Sequence, residues 1–256
     1  MSPANALTNP QRPGRLTSLL LNISTREVEV RHVEEVGAHF RLVTLAADAL
    51  RDASWTPGDM VQIIVSGAAL LGPWELRSYT PFAFEPDTGT TKILWYVHGN
   101  GPGSDWAASA GVGTPCRLMG PRHALSLPKR DRPLIFFGDE TSFSTAIAVR
   151  ETPSGYRDVR FIFEVSSVEQ SRAVVEQFGM GDGVKLIARE EGDRHLSEVE
   201  GEIVDAYRSA AAHGVLTGKA PSIQRLYKAL RTSGVTARRV TNIPYWAPGK
   251  KGLKGH

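Results

Sequence analysis

The pattern of hydrophobic residues changes once along the chain, and this change restricts the folds that the chain can adopt. Between residues 25 and 125, short runs rich in β-branched and aromatic residues alternate with turn residues, which is typical of a small antiparallel barrel. From residue 134 onward, continuous apolar runs alternate with segments of helical spacing, which indicates strands buried on both faces. Prolines and charges cluster between residues 126 and 133. The sequence therefore predicts an N-terminal antiparallel β-barrel followed by an α/β domain with a doubly wound parallel sheet.

The spacing of apolar and turn residues also predicts the individual elements. Residues 26–33 show the pattern well, because valines alternate with charged residues as in a half-buried strand. The predicted barrel strands are residues 27–33, 40–46, 60–65, 76–81, 92–98 and 116–120. The predicted α/β strands are residues 134–137, 159–165, 184–189, 215–218 and 235–240, with helices at 141–151, 168–178, 196–212 and 223–230. The predicted organisation is an extension (1–24), a barrel domain (25–128) and an α/β domain with a basic tail (129–256).

Composition excludes several classes of function. With 256 residues the chain is long enough for two ordinary domains, and a net charge of +3 without basic runs between aromatics argues against nucleic-acid binding. No apolar stretch approaches the length of a membrane span, so we expect no membrane insertion and a cytoplasmic protein. The single Cys116 excludes an internal disulfide and a cysteine-bound metal cluster, and the seven histidines show no metal-ligand spacing.

The richest stretch of possible chemistry lies at residues 77–107. Arg77, Tyr79 and Thr80 occur together on one predicted strand, where they can offer a charge, an aromatic face and a hydroxyl to a cofactor. A glycine-rich turn, residues 99–103, then precedes a helix that is predicted to open at Ser104. The free N–H groups and the positive dipole end of such a helix favour phosphate. Together these residues predict a flavin site.

In this stretch and beyond it, the chain resembles the siderophore-interacting proteins, FAD-dependent ferric-siderophore reductases of the ferredoxin reductase-like superfamily. The resemblance covers most of the chain and is carried by residues 77–80, 98–107, 120–122, 138–141 and 245–246. It implies that FAD is the cofactor. The FAD-binding residues that it implies are Arg77, Ser78, Tyr79, Thr80, Val97, His98, Gly99, Gly101, Pro102, Gly103, Ser104, Trp106, Tyr245 and Trp246. For Trp106 the alternative is a core anchor, and for His98 a surface position at the end of its strand.

The resemblance also implies a nucleotide site in the α/β domain, although Gly-x-Gly-x-x-Gly is absent there. In a doubly wound sheet such a site lies at the carboxyl ends of the strands, and the residues at those ends are Asp139, Glu140, Thr141 and Gly218. Ser166 and Ser167 stand where enzymes that select NAD place a carboxylate, and Arg172 follows about one helical turn onward. Hydroxyls and an arginine favour the 2′-phosphate of NADPH. The alternative for Ser167 is a helix cap.

The expected substrate is a ferric siderophore, an anionic iron chelate. Reduction of Fe³⁺ to Fe²⁺ weakens its hold on hard oxygen ligands, so the protein itself needs no metal ligand and no catalytic acid or base can be named. Arg239, Lys250 and Lys251 flank Tyr245 and Trp246 in sequence and are the predicted substrate-binding residues. A solvated tail is the alternative reading of the lysines.

The expected electron donor is NADPH, with reduced ferredoxin as the alternative. The serines at 166 and 167 favour NADPH, whereas the short segment after Trp246 favours ferredoxin by resemblance. The sequence thus predicts an FAD-dependent ferric-siderophore reductase. The alternatives are a flavin reductase with another electron acceptor and a non-catalytic siderophore-binding protein.

Overall fold

The structure of the protein is a computed structural model. It describes residues 25–65, 75–128, 132–152, 156, 158–181, 183–209 and 212–250. The predicted extension at residues 1–24 and the predicted substrate residue Lys251 lie outside the described residues.

The first half of the chain forms an antiparallel sheet of seven strands in the order β4-β3-β7-β1-β2-β6-β5. One helix, α1, precedes the last of these strands. The elements are β1 (Arg26–Gly37), β2 (Phe40–Ala46), β3 (Met60–Ile64), β4 (Leu76–Tyr79), β5 (Phe82–Glu85), β6 (Thr90–Tyr96), α1 (Pro102–Ser109) and β7 (Pro115–Arg122).

The connection between β4 and β5 requires this sheet to curl into a barrel. The two strands lie at opposite ends of the strand order, yet only Thr80 and Pro81 separate them in the chain. Across a flat seven-stranded sheet the two edges would be about 29 Å apart, because neighbouring strands lie about 4.8 Å apart. A link of two residues cannot cover that distance. The barrel-like architecture predicted from the sequence is therefore confirmed, and Thr80 lies at its seam.

The second half forms a parallel sheet of five strands in the order β10-β9-β8-β11-β12, in which every recorded pairing is parallel. This confirms the predicted doubly wound α/β arrangement. Its elements are β8 (Leu134–Gly138), α2 (Phe143–Arg150), β9 (Val159–Val165), α3 (Val168–Gln177), β10 (Val184–Ala188), α4 (Leu196–Ser209), β11 (His213–Lys219), α5 (Ala220–Thr232) and β12 (Val240–Trp246). The strand order reverses between β8 and β11, where this class of sheet binds its ligands.

Two predicted elements differ from the structure. The last strand is not residues 235–240 but Val240–Trp246, because Val235 donates its N–H to Leu230 at the end of α5 and residues 237–239 form a 3₁₀ turn. The predicted strand at residues 76–81 is too long, because β4 ends at Tyr79. The four-residue strand β5 was not predicted.

The two halves of the molecule share a hydrophobic core. One cluster of buried side chains combines Phe40 and Phe82 of the barrel with Phe136, Phe143 and Phe163 of the α/β domain. The rings of Phe40 and Phe143 stack across the boundary with centroids 5.4 Å apart. The opposite face of the parallel sheet packs against α4 and α5. The barrel and the parallel sheet are therefore held together by apolar packing.

The shared core should be sensitive to truncation. Phe136 is fully buried on β8, so Phe136→Ala should lower the free energy of unfolding by about 3–5 kcal/mol through lost burial and a residual cavity. Urea denaturation followed by circular dichroism measures this change. Val112 is 72% exposed, and Val112→Ala is the matched control, for which we expect a change within about 0.5 kcal/mol. Equal effects of the two substitutions would contradict this description of the core.

Candidate functional site

Strand β4 presents two of the predicted cofactor residues on one face. Side chains alternate along a strand, so Arg77 and Tyr79 point the same way. The ring of Tyr79 packs on Trp95 with centroids 3.7 Å apart. Ser78 points to the other face, where it accepts a hydrogen bond from Gln62 (3.4 Å). The structure thus separates the Ser78 side chain from Arg77 and Tyr79, although the sequence motif places them together.

The glycine turn between β6 and α1 leaves open space in front of the helix. Gly99 and Gly101 have φ angles of +76° and +101°, which favour glycine, and no atom lies within 4 Å of where their Cβ atoms would be. Ser104 closes the turn by accepting the Gly99 N–H at 3.0 Å. The helix itself begins at Pro102 rather than at Ser104, because a proline at the first position needs no N–H partner.

The strand and the helix of this site are in direct contact at Gly103. A Cβ atom on Gly103 would lie 2.1 Å from the Tyr79 hydroxyl and 3.3 Å from Cγ of Arg77. Only glycine therefore lets β4 approach the first turn of α1. The guanidinium of Arg77 donates to the Leu76 carbonyl at 2.9 Å and lies 3.9 Å from the partly exposed Glu75, while the stem of the side chain adjoins the positive end of the helix. These donors and the open space before them suit the pyrophosphate of a dinucleotide such as FAD.

Thr80, at the seam of the barrel, is held by two consecutive hydroxyls of helix α2. Ser144 donates to the Thr80 carbonyl at 2.6 Å, and Thr145 donates to the Thr80 hydroxyl at 2.9 Å. The Tyr245 hydroxyl of β12 lies 2.8 Å from Thr145. Since the only hydroxyl proton of Thr145 goes to Thr80, Tyr245 must be the donor in that contact. The Tyr245 hydroxyl is also hydrogen-bonded to Thr80, so the three hydroxyls form one cluster that holds Thr80 where the barrel meets the α/β domain.

This arrangement gives Thr145 a role that the sequence did not indicate. Thr145→Val keeps the shape of the side chain but removes the bond that orients the Thr80 hydroxyl. We expect FAD affinity to fall about fivefold, since a buried hydrogen bond contributes about 1 kcal/mol. Fluorescence titration of the FAD-free protein measures this affinity, and the flavin absorption bands should shift as well.

Thr145→Ser is the control for this prediction because it restores the hydroxyl. Its affinity and spectrum should return to those of the natural protein. Identical behaviour of the valine and serine variants would show that Thr145 acts only in packing.

The remaining predicted cofactor residues line the same end of the barrel or its core. Val97 is half-buried and donates its N–H to the His39 carbonyl at 2.7 Å. His98 is exposed, and partial desolvation lowers its pKa while Asp105 opposes this shift. Trp106 packs on Trp95 with centroids 4.9 Å apart and adjoins the barrel core, as its core-anchor alternative requires.

At the strand-order reversal of the parallel sheet, Asp139 is the centre of a second group of predicted residues. Its Oδ1 accepts from the backbone N–H of Thr141 at 2.9 Å and also from the Thr141 hydroxyl. Its Oδ2 accepts from the indole N–H of Trp246 at 2.7 Å. Gly218 has a φ of +95°, and a Cβ there would lie 2.6 Å from Oδ2 of Asp139. Trp246 thus lies with the predicted nucleotide residues rather than beside Arg77.

Burial raises the pKa of Asp139 to about 6, well above the usual value of 3.8 for this group. The folded protein therefore binds this proton more tightly than the unfolded chain does. The resulting stabilisation is fully present below the unfolded pKa and is lost as the pH rises through about 6.

Removing the carboxylate should remove this pH dependence. Between about pH 4 and pH 7, the free energy of unfolding of the natural protein should fall relative to that of Asp139→Asn. Urea denaturation at several pH values measures both curves. Parallel curves over this range would mean that Asp139 titrates normally.

Glu140 is buried beside Asp139, and its charge is balanced by a residue that the sequence analysis missed. Arg189, just after β10, donates to Oε2 of Glu140 through both of its terminal nitrogens. The Ser166 N–H donates to Oε1 at 2.6 Å, and the Tyr96 hydroxyl of β6 lies 3.5 Å from Ser166 Oγ. Arg189 lies at the carboxyl end of the predicted strand 184–189, at the edge where the ligands of such sheets bind. This position was the signal available in the sequence. The pair keeps Glu140 from presenting an uncompensated charge to a ligand.

The predicted phosphate-selecting residues lie at the start of α3. Ser167 caps this helix by accepting the Gln170 N–H at 3.4 Å, which is the structural role given above as its alternative. Arg172 is exposed on the same helix. Ser166 is instead tied to Arg189, whose Nη2 donates to its hydroxyl at 3.2 Å.

A buried network fixes the neighbouring loops at the same edge of the sheet. Glu164 of β9 accepts from Ser222 of α5 and lies 2.8 Å from Nε2 of His195. The other ring nitrogen of His195 accepts from the Glu190 N–H, so Nε2 carries the proton that binds Glu164. All three side chains are buried, and the network joins the start of α5 to the segment before α4.

Of the predicted substrate cations, Arg239 and Lys250 lie within the described residues. Arg239 stands at the amino end of β12, where it donates to the Ala212 carbonyl and packs over the ring of Tyr207. Tyr245 is near the opposite end of this strand, about 20 Å away at the usual rise per residue. Arg239 and Tyr245 therefore lie at opposite ends of one strand, and the substrate-binding role of Arg239 stays a prediction. Lys250 is exposed in a turn that follows Trp246.

Two further features bear on the class of protein. Among the described residues, no group of three or more His, Cys, Asp and Glu side chains could hold a metal ion. None of the described helices has the length and apolar character needed to cross a bilayer.

The fold is the two-domain fold of ferredoxin reductase-like proteins. A ferredoxin reductase of carbazole 1,9a-dioxygenase superposes with a TM-score of 0.66 at 19% identity, covering 86% of this chain and 68% of that one. A siderophore utilization protein from T. fusca gives a TM-score of 0.70 at 21% identity, covering 91% of this chain and 96% of that one. The siderophore-interacting protein SipS from Aeromonas hydrophila gives a TM-score of 0.66 at 23% identity, covering 89% of this chain and 93% of that one.

Within this architecture, the sequence match is more specific. Residues 73–125 match the family model of the siderophore-interacting FAD-binding domain. The resemblance predicted from the sequence is thereby confirmed, and the match supports FAD as the cofactor. No curated protein sequence matches the chain.

Proposed function

We propose that this protein is an FAD-dependent oxidoreductase that reduces ferric siderophores in the cytoplasm and so releases Fe²⁺ for intracellular use. The observation that carries the proposal is the contact between β4 and α1 at Gly103, inside the segment that matches the siderophore-interacting FAD-binding domain. Arg77 and the helix N-terminus offer an anion site there, while Thr80 offers a hydroxyl whose position Thr145 fixes. Bound FAD would accept electrons in pairs and pass them singly to ferric iron.

In this proposal each group of residues has a distinct task. Arg77 and the first N–H groups of α1 bind the pyrophosphate, and Gly99 and Gly101 leave room for it. Thr80 donates to the polar edge of the ring system, with its hydroxyl oriented by Thr145. The protein supplies no ligand to the iron of the chelate, because reduction itself weakens the hold of oxygen donors on the metal.

For the electron donor, we propose NADPH, with reduced ferredoxin as the alternative. A crevice at the strand-order reversal supports a nucleotide, since β8 and β11 both end there. The residues that would face it are Asp139, Thr141 and Gly218, with Arg172 available to a 2′-phosphate from the exposed side of α3. The pairing of Glu140 with Arg189 lowers the electrostatic cost of a phosphate at this edge.

Three measurements test the proposed function. The purified protein should be yellow and carry stoichiometric FAD, which a flavin spectrum will show. Anaerobic mixing with NADPH, NADH or reduced ferredoxin should bleach the flavin band with the true donor. Addition of a ferric siderophore and a ferrous-iron chelator should then restore the band and trap Fe²⁺. A protein that takes up no FAD overturns the proposal, and a flavin that is reduced but releases no Fe²⁺ points to another acceptor.

Arg77 should contribute strongly to FAD binding. Arg77→Ala should weaken FAD affinity about tenfold or more, because a charge-assisted bond to phosphate contributes about 1.5–3 kcal/mol. Titration of the FAD-free variant with FAD, followed by fluorescence, gives the affinity. Arg31→Ala removes an exposed arginine of β1 and is the control that should leave it unchanged. Unchanged affinity in the Arg77 variant would refute the pyrophosphate role.

A further inference from the structure

A second cluster of reactive side chains lies where the segment after β7 meets the residue before β3. Ser126 Oγ lies 3.0 Å from Nε2 of His123, and His123 Nδ1 lies 3.2 Å from Oδ1 of Asp59. Hydroxyl, imidazole and carboxylate thus follow one another in a single hydrogen-bonded line. Neither the proposed reduction nor the FAD site uses any of these residues.

The burial of the three side chains differs in a way that suits a nucleophile and its base. The Asp59 side chain is only 9% exposed and also accepts the Thr56 N–H at 2.9 Å, which fixes its position. His123 and Ser126 are exposed and can be reached by a substrate. A carboxylate can only accept, so Nδ1 of His123 carries the proton, and Nε2 is left to accept the proton of Ser126.

The backbone around Ser126 is held from both domains. Leu125 donates its N–H to Gly58 at 3.2 Å, and the Ser126 carbonyl accepts from the Thr241 hydroxyl at 3.3 Å. The N–H groups of Ser126 and Leu127 have no acceptor among the described residues. In serine hydrolases, the N–H of the nucleophile or of the next residue binds the oxyanion. Both groups are available here for that purpose.

A small cavity lies directly beside His123. Its volume is about 230 Å³, which is enough for a short acyl chain but not for a large substrate. Besides His123, its lining is Pro57, Leu125, Leu127, Pro128 and Tyr156 with two threonines, Thr56 and Thr152. Such a lining favours an uncharged acyl group.

We propose that Ser126, His123 and Asp59 form a hydrolytic site for small acyl esters. Ser126 Oγ bonds to the acyl carbon while its proton passes to Nε2 of His123. The bond from that carbon to the alcohol oxygen then breaks, and the same proton leaves with the alcohol. A solvent water, deprotonated by Nε2, attacks the acyl-serine, which releases the carboxylic acid and restores the serine. No oxidant, metal or cofactor takes part, so this site can act or fail independently of the proposed reduction.

Hydrolysis of p-nitrophenyl acetate by the full chain, followed at the absorbance of p-nitrophenolate, tests this proposal. Ser126→Ala and His123→Ala should each lower the rate at least tenfold, and Asp59→Asn should lower it as well, since general-base catalysis contributes about 100-fold or more. His32→Ala is the matched control, because His32 is an exposed histidine on β1. If surface histidines in general caused the hydrolysis, His32→Ala would lower the rate as much as His123→Ala does.

A second measurement needs no variant. A fluorophosphonate probe should label the natural protein once, and peptide mass spectrometry should locate the adduct on Ser126. Equal rates for the natural protein and Ser126→Ala, or an adduct on any other residue, would overturn the proposal. Far-ultraviolet circular dichroism and FAD content of the variants show whether a lost rate reflects a lost fold.

Discussion

The two-residue link between β4 and β5 is the constraint on which the rest of the structure depends. It forces a seven-stranded sheet to close on itself, and it places Thr80 where the barrel meets the α/β domain. Ser144 and Thr145 hold the backbone and the hydroxyl of that residue in turn. The same link therefore shapes the barrel, fixes the domain interface and sets the position of the Thr80 hydroxyl. A change at the seam would be felt in all three.

Much of the fold was predictable because its signals are local. Alternating valines and charges marked β1, and the apolar run at residues 134–137 marked the first buried parallel strand. Arg77 and Tyr79 share one face of β4 because side chains alternate along any strand. Their contact with Gly103 was indicated only indirectly, by a glycine turn before a helix.

The parts that escaped prediction are set by contacts between distant segments. Thr145 meets Thr80 across 65 positions of sequence, and Arg189 meets Glu140 across 49. No local pattern encodes such a pairing, because it depends on the order of strands in the sheet. Arg239 shows the converse case. It is near Tyr245 in sequence, but the length of β12 separates the two residues.

The hydrophobic cluster shared by the barrel and the α/β domain has a consequence for folding as a whole. Phe40 and Phe143 belong to different domains but to one core, so neither domain can lose its structure without exposing apolar surface of the other. The free energies of the two domains are coupled by this surface, and heat or denaturant should remove both in one cooperative step. The sequence shows a boundary between two architectures, but the two domains unfold as one unit.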